Sequence, residues 1–260
     1  MAETTSQPCF LVVVPTLDSH ELLPPLVASL LEQTHRHWRL LFIDGPSRPE
    51  HRQALTRLCR QDPRLGWVAQ EPGEAGIYGA MNQGFRAAAP NEWLLFWGSD
   101  DRATNGRVLE RLAHRLAHQP GADLLVGRAR YVDHRSGRPG RCSHLRWAGS
   151  LARSLALGST PPHQATVFGP AARRRINRYN GRFRLAADLD YFLRLSRCAD
   201  LLILRESLEL VRLGDGGVSG RQTHQRLQEV RQAYQSRFRS WWWLPFGLRY
   251  GQRLGSLLGR

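Results

Sequence analysis

The sequence predicts an α/β fold built on a mostly parallel sheet flanked by helices, and three observations predict it. Short apolar runs alternate with longer segments whose leucines recur at helical spacing over the first hundred residues. The runs are rich in valine and leucine without a polar alternation, which suits strands covered on both faces. Small and polar residues follow the runs: Pro15-Thr16, Asp44-Gly45, Glu71-Pro72-Gly73 and Ser99-Asp100-Asp101. Ligands of open α/β sheets bind outside the carboxyl ends of the strands, so these four clusters can face one site.

Taken in order, Phe10 to Val14 is a valine-rich strand stopped at Pro15, and Glu21 to Gln33 is a helix. Leu40 to Ile43 is the second strand, Glu50 to Arg60 a helix, Leu65 to Ala69 the third strand. Ile77 to Ala88 is a helix and Trp93 to Trp97 the fourth strand. After a helix over Asn105 to His118 the pattern changes. Ala122 to Val132 is extended, and Asp133 to Ser159 is loop with short elements. Gln164 to Phe168 is a strand, Asp188 to Cys198 a helix, and Leu201 to Leu204 and Leu208 to Leu213 are two strands. Ser219 to Arg239 is helical and an aromatic basic tail closes the chain.

The 260 residues suffice for one catalytic domain and a tail, with a core of ordinary apolar content. Basic residues number 37 against 22 acidic, a net charge of +15, and every fixed positive charge is an arginine. Guanidinium forks bind phosphate bidentately, so nucleic acid, anionic lipid and phosphorylated substrates are the partners this charge suits. Cys9, Cys59, Cys142 and Cys198 are scattered without a C-x-x-C pair, which argues against zinc. The polar start and the lack of an apolar run of ~18 residues place the chain in the cytoplasm, without a membrane span.

Seven segments, in this order, carry a family resemblance: VVVPTLD (12–18), LLEQTHRHWRLLFIDGPS (30–47), EPGEAGIYGAMNQG (71–84), WLLFWGSDD (93–101), PHQATVF (162–168), AADLDYFLRL (186–195) and GDGGVS (214–219). Together they resemble family 2 glycosyltransferases of the GT-A fold, in the branch that builds bacterial polysaccharides. The resemblance implies a Rossmann-like catalytic domain over 1–220, with a nucleotide-sugar half over 8–120 and an acceptor half over 121–220. Residues 221–260 are then a C-terminal helix and a membrane-associating tail.

Each segment has its own chemistry. Adjacent carboxylates at Asp100-Asp101 repel unless a cation compensates, and Mg2+ or Mn2+ held by one or two carboxylates plus diphosphate oxygens is a common solution. By resemblance this is the family's metal site, with Asp101 the direct ligand, Asp100 its neighbour toward the nucleotide, and Ser99 where an acid is common. The same residues would also suit a cap for the helix that follows. Asp44 can accept the imide hydrogen of uracil, the role implied by the family, or can be a solvated Asp-Gly turn. Pro15 and Thr16 would line the same pocket or simply end the strand.

Glu71, Gly76 and Asn82 fall in a segment that implies donor binding, with Ala75 and Gly79 standing where the family has polar residues. His163-Gln164 is similar to a pair near the acceptor and diphosphate, although a lone histidine is often structural. Asp188 aligns with the base of an inverting mechanism, Ala187 replacing its acidic neighbour; a helix-dipole partner is the structural reading. Asp190, two residues on, points another way and suits a pair with Arg194. Gly216 and Gly217 sit in a glycine-rich stretch suited to phosphate, or to a turn capped by Ser219.

The tail from Arg237 holds Trp241, Trp242, Trp243, Phe246 and Tyr250 with five arginines and no acid. That composition suits an anionic membrane surface at the inner face of the cell membrane, or packing on the domain or a second subunit as a homodimer. The function these readings give is transfer of a sugar, from UDP first, to a glycan or lipid-linked acceptor. A catalytically silent GT-A assembly partner is the alternative, kept open by Ala75, Gly79, Ser99 and Ala187. A basic nucleic-acid binder has the charge but no recognised motif, and a sugar nucleotidyltransferase would need a Gly-rich signature that PTLDSHELLP lacks.

Overall fold

The computed structural model describes residues 7–133, 136–214 and 223–258. The first half runs β1 (Cys9–Thr16), α1 (Leu23–Leu31), β2 (Trp38–Asp44), α2 (Pro49–Cys59), β3 (Leu65–Ala69), α3 (Gly76–Ala87) and β4 (Glu92–Phe96). The second runs β5 (Arg102–Ala103), α4 (Val108–Ala117), β6 (Leu124–Val132), β7 (Pro139–Ser143), α5 (Leu151–Ala156), β8 (Thr166–Phe168), α6 (Pro170–Arg175), α7 (Ala187–Leu195), β9 (Ile203–Gly214), α8 (Thr223–Phe238) and α9 (Trp243–Leu258).

One sheet runs β3-β2-β1-β4-β8-β6-β9-β5, with β7 added against β6. The first four strands are parallel, and β8 turns the direction by pairing antiparallel with both β4 and β6. The parallel half of the sheet with its flanking helices is the α/β arrangement expected from the sequence.

Residues 10 to 14 are fully buried because both faces of β1 are covered. Phe10, Val12 and Val14 join the core under α1 and α4, while Leu11 and Val13 join the core under α3 and α7. The parallel β1, β2, β3 and β4 put all four polar clusters at one sheet edge.

Two sequence expectations change. The first helix begins at Leu23, after a 3-10 turn over His20–Leu22, with Pro24 and Pro25 in its first turn, where a missing N–H costs nothing. The two strands expected over 201–213 are one, β9, because β6 pairs along its whole length. The polar Arg205-Glu206-Ser207 that seemed to divide them is a bulge: Val126 pairs Arg205, but Arg128 pairs Glu209. The short elements expected within the loop over 133–159 are β7 and α5.

The C-terminal helices pack on the catalytic core. Val230, Ala233 and Tyr234 of α8 are buried with α7, and Trp242, Phe246 and Tyr250 pack against the same cluster. A side chain at Gly158 would overlap the backbone of Arg249, so α9 lies directly on the loop after α5.

Candidate functional site

The end of β2 delivers Asp44 with no exposed surface. Its carboxylate accepts from Thr16 Oγ1 at 3.1 Å, Ser47 Oγ at 2.6 Å and Arg52 Nε at 3.0 Å, and His51 Nε2 lies 3.1 Å away. Thr16 ends β1 and is buried, so the predicted pair of Thr16 and Asp44 is one hydrogen-bonded unit. Asp18, held in the left-handed region at φ 46°, accepts from the Arg48 amide at 2.8 Å and so latches the two loops. Asp44 thus already bonds three donors, and Arg52, half-exposed beside it, is the group that reaches the surface. Sequence reasoning missed Ser47, His51 and Arg52; their signal was a polar cluster within eight residues after a strand-ending acid.

Pro15 and Ser99 meet next. Ser99 Oγ reaches the Pro15 carbonyl at 3.5 Å and bonds Ser19 Oγ at 2.8 Å, joining the ends of β1 and β4. Asp101 is 3% exposed and accepts from the Gly98 amide at 2.6 Å. Burial pushes its carboxyl up to about 8; the neighbouring Asp100 charge adds to this, and the Gly98 and Gly214 amides oppose it. Both carboxylates fold over Gly98, where a Cβ would meet Asp100 Oδ1 at 3.0 Å and Asp101 Oδ2 at 3.3 Å.

Two converging carboxylates, one buried against its own charge, fit a divalent cation completed by phosphate and water oxygens. Among the described residues no group of three or more such side chains gathers to hold a metal without those further ligands.

The third group comes from α3, α7 and the turn before β8. Asp188, half-buried in the first turn of α7, accepts from the Tyr78 hydroxyl at 3.2 Å. Burial, then the Asp188 charge, raises the Tyr78 phenol well above its ordinary value, so it is a neutral donor. Tyr78 packs on Tyr179 at 5.2 Å, and the Tyr179 hydroxyl bonds His163 Nε2 at 2.7 Å. His163 stacks on Phe96 at 5.6 Å, and burial depresses its imidazole, which the Asp188 charge partly offsets. The Gln164 carbonyl accepts from Trp97 Nε1 at 3.0 Å, which ties this turn to the end of β4.

The remaining predicted residues are placed as follows. Asp190 is 5% exposed and bonds Arg194 Nε at 2.7 Å. Asn82 is buried, and its amide clamps the Tyr179 backbone, accepting from its N–H at 2.6 Å and donating to its carbonyl at 3.3 Å. Glu71 is exposed and paired with Arg86 at 2.5 Å. Gly76 opens α3 at φ 76° with open space where a side chain would stand. Gly79 has the opposite environment, since a Cβ there would overlap the Glu74 carbonyl. Gly216 and Gly217 lie outside the described residues. Tyr78 and Tyr179 were missed as a pair because 101 residues separate them, and only the folded chain packs them together.

The family model for glycosyl transferase family 2 matches residues 11–178. A PGL/p-HBAD biosynthesis glycosyltransferase of Mycobacterium bovis is 29% identical over 190 residues, covering 72% of this chain and 69% of the relative. A putative teichuronic acid biosynthesis glycosyltransferase of Bacillus subtilis, TuaG, is 26% identical over 109 residues, 42% of each chain. S. aureus TarS in complex with UDP-GlcNAc superposes with TM-score 0.69 at 19% identity, over 87% of this chain and 65% of that one. The mannosyltransferase PcManGT from Pyrobaculum calidifontis, with GDP-Man and Mn2+, gives 0.63 at 15% identity over 89% and 64%. The chain therefore spans just under two thirds of these solved structures. With the match running from β1 through the turn that carries Tyr179's neighbours, the chain belongs to glycosyl transferase family 2.

Proposed function

We propose that the chain is a metal-dependent, inverting hexosyltransferase that takes a sugar from a UDP-sugar to a glycan or lipid-linked acceptor. The observation that carries this reading is two runs of contacts that start from neighbouring positions at the end of β4. One joins Asp44, Thr16, Pro15 and Ser99 beside Asp100 and Asp101, and the other leads from Phe96 through His163, Tyr179 and Tyr78 to Asp188. The UDP-GlcNAc complex of TarS and the names of the mycobacterial and Bacillus relatives support the choice of donor and acceptor class.

In this reading the surface that Arg52 presents beside buried Thr16 and Asp44 takes the nucleoside. Glu71, Gly76 and Asn82 line or shape the donor side, and His163 and Gln164 the acceptor and phosphate side, while Asp190 is spent on Arg194. Asp188 accepts the proton of the acceptor hydroxyl as its oxygen attacks the anomeric carbon. The bond from that carbon to the diphosphate breaks on the opposite face, so configuration inverts in one displacement. Mg2+ or Mn2+ held by Asp100 and Asp101 would offset the charge left on the diphosphate. Tyr78 holds the base by a neutral hydrogen bond and takes no proton itself.

The tail is assigned to an anionic membrane surface on the cytoplasmic side. Trp241 and Trp243 are 67% and 59% exposed, and Leu244 lies beside them. Among the described residues no helix is long and apolar enough to cross a membrane. A homodimer built on the same exposed tryptophans is the competing use of this face.

Calorimetry with UDP, GDP and dTDP, with and without manganese, tests the reading together with the anomeric configuration of the product by NMR. Metal-strengthened UDP binding and an inverted product are expected. Failure of all three nucleotides to bind would favour the silent assembly partner, and a retained configuration would reject the mechanism.

A further inference from the structure

We infer that Glu229 of α8 is a positioning residue for Asp188, an inference that rests on Asp188 being the base. The approach to α7, Arg184-Leu185-Ala186-Ala187, offers no side chain able to accept from its own amides, and Ala186 stands at the N-cap without a capping bond. Glu229 supplies, from another helix, an acceptor for the amides that lead into α7 just ahead of its first turn. Its Oε2 accepts from the amides of Arg184 at 2.9 Å, Leu185 at 2.7 Å and Ala186 at 3.0 Å. Its Oε1 accepts from Gln225 Nε2 at 3.1 Å, and the side chain is 6% exposed.

Three successive amides converging on one carboxylate oxygen form a nest, and the charge sits where the helix dipole is positive. Charge-assisted bonds of this kind are stronger than neutral ones and fix the path of the backbone they hold. Asp188 follows Ala186 by two residues, so the orientation of this turn sets where its carboxylate points. Ala187 and Leu189 on either side are buried, which leaves the turn little freedom except at the end that Glu229 holds. Val230, Ala233 and Tyr234 anchor α8 in the core shared with α7, so the nest has a rigid backing.

The experiment compares Glu229→Ala and Glu229→Gln with the full chain, each also in an Asp188→Asn background. The readouts are kcat, donor KM, thermal midpoint and hydrogen exchange at the amides of 184, 185 and 186. A misplacement of about 1 Å can cost ~10²-fold, so Glu229→Ala is expected to lower kcat by roughly 10- to 100-fold with donor KM little changed. Glu229→Gln keeps an acceptor oxygen and should recover part of that loss; if the alanine variant does not fold, this variant alone carries the comparison. Exchange at the three amides should quicken in both. In the Asp188→Asn background the Glu229 changes should cost little more, because a residue acting through Asp188 has nothing left to aim. An unchanged kcat in folded Glu229 variants, beside an inactive Asp188→Asn, overturns the inference and leaves the base in place. An equal loss in both backgrounds also overturns it. Full transfer by Asp188→Asn overturns the base itself and the inference with it.

Discussion

The Tyr78 hydroxyl donates to Asp188 Oδ1 at 3.2 Å, tying the first turn of α3 to the first turn of α7 across 110 positions of sequence. The bond joins α3 to α7 through one neutral donor, and in the proposed reading it links the donor side of the site to the base. Tyr78→Phe removes only that donor and keeps the ring packed on Tyr179. It should lower kcat by about 10-fold and leave nucleotide binding unchanged, as steady-state kinetics beside calorimetry will read.

Asp188→Asn should lower turnover by ~10²-fold or more, because an amide cannot take a proton from a hydroxyl. Asp190→Asn should behave differently. Its carboxylate is buried and spent on Arg194, so the main loss should be about 1–3 kcal/mol of stability, read by denaturant unfolding, with transfer retained. Should Asp190→Asn abolish transfer while Asp188→Asn stays active, the roles of the two are exchanged.

Asp101→Asn should abolish the strengthening of UDP binding by manganese, since it removes the buried member of the pair over Gly98. Asp44→Ala should weaken nucleotide binding without changing the metal response. It should also lower stability by about 3 kcal/mol, because Arg52, Ser47 and Thr16 lose a buried partner together. Titrations of both variants, with unfolding curves alongside, separate the two effects.

Placing a polar side chain at position 79, where the resembled family has one, should not improve the enzyme. A side chain there would overlap the Glu74 carbonyl, and Gln70 Nε2 already bonds that carbonyl and Gly76 O. Gly79→Asp should lower the thermal midpoint by several degrees and reduce activity, an overpacking cost of about 1–3 kcal/mol. An increase in kcat would show that the turn over 71–76 yields easily.

The buried histidines should cost stability on acidification, against an opposing gain from Asp101, whose raised carboxyl takes its proton in the folded chain first as pH falls below about 8. Burial depresses the imidazoles of His35, His51 and His163 below their ordinary 6.5, so the folded chain favours their neutral forms. Above 6.5 both folded and unfolded chains hold them neutral and nothing is lost. Below it the unfolded chain binds protons first, and stability declines until the folded values are passed. His163→Asn should remove its share of that loss, so the thermal midpoint at pH 5, relative to that at pH 7, should lie above the parent chain's.

The tail predicts one more result. Trp241→Ala with Trp243→Ala should reduce flotation with anionic liposomes, while the protein stays folded, because both side chains face outward. Trp242→Ala should instead lower the thermal midpoint, since Trp242 packs on Phe246 and under Arg231. Equal flotation of all three proteins would assign the outer tryptophans to a protein interface.

The strand–helix alternation, and with it the parallel half of the sheet, was legible in the sequence because a buried strand must be apolar on both faces. The four polar clusters were legible as strand ends for the same reason: burial stops there, and parallel strands bring those ends to one edge. The i to i+4 spacing of Asp190 and Arg194 was likewise readable, since helix geometry alone makes such residues neighbours. The tertiary structure decided what depends on contacts between distant residues. It surrounded Asp44 with donors, spent Asn82 on the Tyr179 backbone, denied Gly79 any side chain, and merged two apparent strands into β9 across a bulge. It also set Glu229 against three amides 43 to 45 residues away. Local periodicity encodes which face of a segment is buried. The partner that satisfies a buried polar group is chosen only when the segments pack, because the cost of leaving that group unpaired arises only then.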